Sequence, residues 1–188
     1  MHMAAAMCFY AAGNGRELMF QIGQLVVYGG EGVCRVEGIG VPPIPGADRN
    51  RQYYTLSPLC RTGQVMTPVD TKVMMRPVMS REEAEVLIES LPALEPEEMP
   101  SSGVRAAKDY YHQLVTSYDC RRLAGMIKAV SRKRVRAMRS GKKVSQMDER
   151  YLKRAEEELY SELAAALELE ADAVPDYIRR TCPAWPEN

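Results

Sequence analysis

The sequence predicts an α+β chain in two parts, a small barrel or strongly bent sheet followed by an all-α half. Three observations carry this expectation. Between Phe20 and Val78, five short β-rich segments are separated by glycine and proline. From Ser80 onward the apolar spacing changes from two residues to about 3.6, the period of a helix. The charges are segregated: 25 basic and 25 acidic side chains cancel over 188 residues, yet residues 121–143 hold ten Lys or Arg and no acid.

In chain order, the first eighteen residues lack both a basic leader and a continuous apolar stretch, so 1–18 reads as a disordered extension with Met19 as an alternative start. Leu25 to Tyr28 forms the first strand and stops at Gly29-Gly30, and Gly32 to Ile39 alternates with period two. Tyr53 to Leu56, Val65 to Val69 and Val73 to Met75 complete the set. Pro42-Pro43-Ile44-Pro45-Gly46 interrupts the ladder, because proline has no donor, and is expected as an exposed hairpin loop. Ser80 with Glu83 starts a first helix through Leu91 as a capping box. Pro92, Pro96 and Pro100 make an acidic linker. A second helix is expected over about 102–115 and a third from an Asp119 N-cap to Arg139, with Leu123, Met126, Ile127 and Val130 inward and the bases on the other faces. Ser145 and Asp148 open a fourth helix along Leu152, Ala155, Leu159, Leu163 and Ala166, and Pro175 leaves at most a short terminal turn.

Composition narrows the function classes. With 46% apolar and 27% charged residues the chain is neither collagen-like nor wholly disordered. No apolar run reaches the roughly 18 residues of a membrane span, so no membrane association is expected. Cys8, Cys34, Cys60, Cys120 and Cys182 are odd in number and widely spaced, without a C-x-x-C pair, which predicts a reduced, cytoplasmic protein with no structural metal. Cys34 or Cys60 with His112 is the one thiol pairing for a small hydrolase, and nothing else supports it. The glycines at 29, 30 and 32 lack the spacing of a phosphate loop and read as a tight turn. No catalytic residue, cofactor or small-molecule substrate is expected.

The basic block is the informative feature. Twenty-three helical residues span about 34 Å, one turn of B-DNA, so such a face can follow a phosphate backbone. If five of its bases met phosphates, log K would fall with log salt at a slope of about −4 to −5. A solvated face balanced by the acidic fourth helix stands level with that reading. The aromatic residues do not interleave with the bases as single-strand stacking requires, which favours duplex.

Met19 to Tyr28, Glu31-Gly32-Val33, Val36 to Ile39, Gln52-Tyr53-Tyr54 and Gln64 to Pro68 resemble the N-terminal domain of CarD-type bacterial transcription regulators. That domain is similar to the RNA polymerase-interacting domain of transcription-repair coupling factor. The resemblance extends more loosely through Leu114, Asp119, Leu123 to Val130 and Ser145 to Leu152. It implies a Tudor/SH3-like barrel over 19–79 that binds the β subunit of RNA polymerase and a helical domain over 80–180 that contacts promoter double-stranded DNA and affects open-complex stability; beyond it, 181–188 is expected as a flexible tail. The polymerase-binding positions it implies are Val41, Gln64, Val65, Met66 and Thr67. Of the positions expected to meet DNA, the resemblance supplies Arg105 and Lys108, and the basic block supplies Arg132, Lys133, Arg134, Arg136, Arg139, Lys142 and Lys143. Two residues depart from the family pattern. Gly103 stands where many members carry a tryptophan wedge, and Glu149 stands at an often basic position. Both departures leave open an alternative, a polymerase-bound module without activity at the bubble edge.

Overall fold

The computed structural model describes residues 20–46, 48–98, 100, 103–183, 185 and 186. The expected extension 1–18 lies outside them. Five strands form one antiparallel sheet: β1 (Leu25–Tyr28), β2 (Gly32–Gly40), β3 (Tyr53–Pro58), β4 (Val65–Pro68) and β5 (Met75–Pro77), in the order β4-β3-β2-β1-β5. Tyr28 pairs with Gly32 and leaves a three-residue turn, closed by the Glu31 N–H donating to the Tyr28 carbonyl at 3.0 Å. Gly30 and Gly32 take φ of +88° and +73° there, which explains the glycines without any phosphate.

The sheet is strongly curled. β1 and β4 are separated by two strands, which in a flat sheet would set them about 14 Å apart. Instead the Tyr28 hydroxyl donates to Thr67 Oγ1 at 3.0 Å, inside a core of Val26, Cys34, Val36, Tyr54 and Leu56. A register shift between Val36 and Gly38 bends β2 and helps the curl. No ladder joins β4 to β5 among the described residues, so the barrel stays open at that seam. The fifth strand lies two residues later than its expected place at Val73 to Met75. Met74 spends its carbonyl on the Gly29 N–H at 2.8 Å, and pairing with β1 begins only at Met75. Pro77 is tolerated because β5 is an edge.

The helical half contains α1 (Arg81–Ser90), α2 (Gly103–Thr116), α3 (Cys120–Arg139), α4 (Gln146–Leu167) and α5 (Val174–Thr181). Ser80 with Glu83 and Ser145 with Asp148 form complete capping boxes, and Asp119 caps α3. Leu87, Ile88, Leu114, Leu123, Ile127, Leu159 and Leu163 fill the core. Two expectations need correction. Pro175 falls in the first turn of α5, where its missing N–H costs nothing, so a two-turn helix follows in place of a short turn. The tail expected to be flexible from 181 is packed at Cys182 and Trp185, both buried in the helical core, with Trp185 Nε1 donating to the Tyr160 hydroxyl at 3.4 Å.

Sheet and bundle are docked. Val27 and Val33 pack with Tyr118, joined by Met74, Val78 and Ala165. No helix among the described residues is long and apolar enough to cross a membrane.

Candidate functional site

β4 is an edge strand, and its hydrogen-bonding parity decides what it offers. The Val69 N–H donates to the Gln52 carbonyl at 2.9 Å. In an antiparallel ladder residues alternate between facing the partner and facing away. With Tyr54 opposite Thr67 and Leu56 opposite Val65, residues 65, 67 and 69 face β3, so the Met66 N–H and carbonyl and the Gln64 carbonyl point outward. The Pro68 carbonyl accepts from the Thr71 N–H at 3.0 Å, and Pro68 has no donor. The open edge is therefore short and centred on Met66.

The five expected polymerase-binding residues separate accordingly. Thr67 is buried and bonded to Tyr28, and half-buried Val65 packs against the sheet core, so their side chains serve the interior. Gln64 is exposed and Met66 half-buried on the other face. Val41 is exposed and lines a shallow concavity of about 360 Å³ with Pro42 to Pro45 and Arg49, at the Pro68 end of the edge.

The basic block divides in a way its sequence hides. Lys128 is only 2% exposed, contrary to the expectation that every base lies on an outer face. Its ammonium donates to the carbonyls of Leu91, Pro92 and Leu94 at 3.2, 3.0 and 2.9 Å, satisfying the end of a short 3-10 turn over Leu91–Ala93. Arg122 donates to Glu97 at 3.2 Å, and the acidic linker lies so close to α3 that a Cβ at Gly125 would come within 3.1 Å of Glu97. Lys133 pairs at 2.7 Å with the buried Asp148, which also accepts from the Tyr111 hydroxyl at 2.5 Å and the Ser145 hydroxyl at 2.9 Å. Burial pushes the Asp148 carboxyl up, but its bonds from Lys133, Tyr111 and Ser145 outweigh that and hold it below its ordinary value. Arg134 approaches Glu149 at 4.0 Å with both exposed, a weak pair.

Beyond these, Arg136, Arg139, Lys142 and Lys143 are exposed and have no carboxylate partner among the described residues. Arg105 and Lys108 are likewise exposed, with no ion-pair partner among the described residues. The topology gathers the two groups. Tyr118, Cys120 and Glu162 sit at the sheet, so α2, α3 and α4 each have one end there and run away from it. Tyr111 of α2, Lys133 of α3 and Asp148 of α4 meet farther out, so the front of α2, the last turns of α3 and the start of α4 share the distal end. Arg134, Met138, Lys142, Lys143, Val144, Gln146 and Glu149 line an open groove of about 470 Å³ there.

Gly103 opens α2 with φ +74°, a backbone conformation strained for any L side chain, and Val104 beside it is 77% exposed. Of the two thiols in the hydrolase reading, Cys34 is buried and its thiol is pushed up to about 11 by burial, with a further contribution from Cys60, whereas Cys60 is exposed and His112 lies exposed on α2. Among the described residues no group of three or more His, Cys, Asp or Glu is placed to hold a metal ion. Sequence reasoning passed over Glu162, whose signal was a carboxylate inside the apolar stripe of α4, and over Lys128, a base at an inward position of α3.

The structure is thus a curled sheet with a free edge strand, docked on a bundle whose far end carries exposed bases. Residues 20–79 match the family model described as the CarD-like/TRCF RID domain, and this part of the chain is a domain of that family of RNA polymerase-interacting modules. No curated protein matches the chain.

Proposed function

We propose that the protein is a non-enzymatic transcription regulator that docks on the β subunit of RNA polymerase through the β4 edge and touches promoter duplex with its distal basic end, changing open-complex stability. The observation that supports the first contact most is the outward Met66 backbone on the edge strand of the matched domain. An extended segment of the partner would add there as a further strand, with Gln64 and the Val41 loop at the two ends of the edge. The duplex contact rests on Arg105, Lys108, Arg136, Arg139, Lys142 and Lys143, whose charges no carboxylate of the described residues neutralises. Arg132 and Arg134 flank this set, whereas Lys133 is held by Asp148 and contributes least. Six phosphate contacts would give a salt slope of about −5. The protein acts in the cytoplasm with the polymerase.

A second reading, a polymerase-bound module without bubble-edge activity, is favoured by Gly103, whose backbone cannot carry a wedge without rebuilding, and by Glu149 beside Arg134. Titration into the host's RNA polymerase holoenzyme, with and without promoter DNA, separates the two when open-complex lifetime is followed at two salt concentrations. The regulator binds and changes the lifetime in a salt-sensitive way. Binding with an unchanged lifetime selects the second reading, and absence of binding overturns both.

A further inference from the structure

The chain passes from sheet to bundle once, through residues 78–80, and a single connection by itself allows rotation. The contact beside that crossing removes the freedom. Arg76 on β5 grips Glu162 of α4 with both guanidinium nitrogens, at 2.5 Å to Oε1 and 2.7 Å to Oε2. The same guanidinium donates to the Tyr118 carbonyl at 2.6 Å, just before α3. Glu162 also accepts from the Met79 N–H at 3.1 Å and from the Cys120 thiol at 3.0 Å, so β5, the crossing, α3 and α4 all meet on one buried carboxylate. The Tyr118 hydroxyl bonds to the Gly30 N–H in the β1–β2 turn and fixes a second point on the sheet. A planar two-pronged pair resists rotation as a single point charge does not. Burial works against the Arg76 charge, yet Glu162 holds it more firmly protonated than an ordinary arginine.

We infer that Arg76 is a positioning residue: through Glu162 it locks the sheet to the helical bundle, so that the β4 edge and the distal basic end are presented at one fixed separation and angle. The functional half of this inference rests on the two-contact reading above. α3 is about 30 Å long from the lock to its far end, so a tilt of about 10° at the junction moves that end by about 5 Å. Such a shift exceeds the reach of a hydrogen bond to phosphate, and a loosened junction loses the joint effect while each surface keeps its own affinity.

The test places spin labels on Cys60, which is exposed while Cys34, Cys120 and Cys182 are buried, and on Ser140→Cys, with Cys8 changed to serine. Two variants avoid leaving a buried charge unpaired: Arg76→Lys keeps the charge and loses the fork, and Arg76→Gln with Glu162→Gln removes both charges. The parent protein gives a narrow distance distribution. The double variant broadens it and lowers the effect on open-complex lifetime at least fivefold, with polymerase and duplex affinities, measured separately, each changed less than twofold; Arg76→Lys falls between. A distribution that stays narrow in the double variant overturns the lock, and a broadened distribution with an unchanged lifetime effect overturns its positioning role. If the parent protein fails to bind polymerase, the two-contact reading fails, while the distance distributions still decide the lock.

Discussion

Along α3 and the turn after it, several cations of the earlier stretch and those of the later one are used in opposite ways. In the first, Arg122, Lys128 and Lys133 are held by Glu97, three backbone carbonyls and Asp148. In the second, Arg136, Arg139, Lys142 and Lys143 face solvent with no carboxylate partner among the described residues. Charge counted in a sequence is thus not charge available to a partner. What decides availability is whether the fold brings a carboxylate or an unpaired carbonyl to the same place.

The sharpest break in this comparison is Asp148→Ala. It leaves the buried Tyr111 hydroxyl without its acceptor and removes half of a capping box, and the expected loss is about 2–4 kcal/mol in urea unfolding, while Lys133, more than half exposed, is rehydrated. Duplex affinity of the folded protein stays within twofold. A large rise in affinity would mean that Lys133 belongs with the free set. Lys128→Met comes next: three carbonyls lose their donor, costing about 1–3 kcal/mol, while the salt slope of DNA binding is unchanged.

The pH dependence follows from the same carboxylate. Asp148 titrates lower in the folded chain than its unfolded value of about 3.9, so it contributes stability above that pH and the contribution disappears as pH falls through the folded value. The urea midpoint should therefore drop below about pH 4, less steeply in Asp148→Asn. The smallest effect on stability belongs to Arg139→Gln and Lys142→Gln. Each leaves unfolding within about 0.5 kcal/mol of the parent and reduces the salt slope of duplex binding by about one. A flat slope in the parent would remove the distinction between the two stretches altogether.

The sequence made local signals plain and long-range ones obscure. Ser80 with Glu83, Asp119, and Ser145 with Asp148 act on neighbours three residues away, and each stands where its spacing put it. Four of five strands likewise lie where alternation and glycine placed them, within two residues at their ends. β5 shifted because its register depends on β1, far away in sequence, and on the use Gly29 makes of Met74. Trp185 and Cys182 joined the core because α5 folds back on the bundle, which no local pattern after Pro175 announced. At the candidate surfaces, the edge position of β4 follows from strand order and the burial of Thr67 from the curl of the sheet, both products of distant pairing. Lys128 and Glu162 broke an apolar period, and their partners lie more than thirty residues away.

The brevity of β4 also bears on crowding and self-association. An exposed strand edge is a template for copies of the same chain, and long flat ones seed aggregates. Here Pro68 ends the row after four residues, its carbonyl is already taken, and the outward backbone groups are confined to Met66 and Gln64. So short a row offers few backbone bonds to a further strand, so any segment that adds there has to rely on side-chain contacts as well.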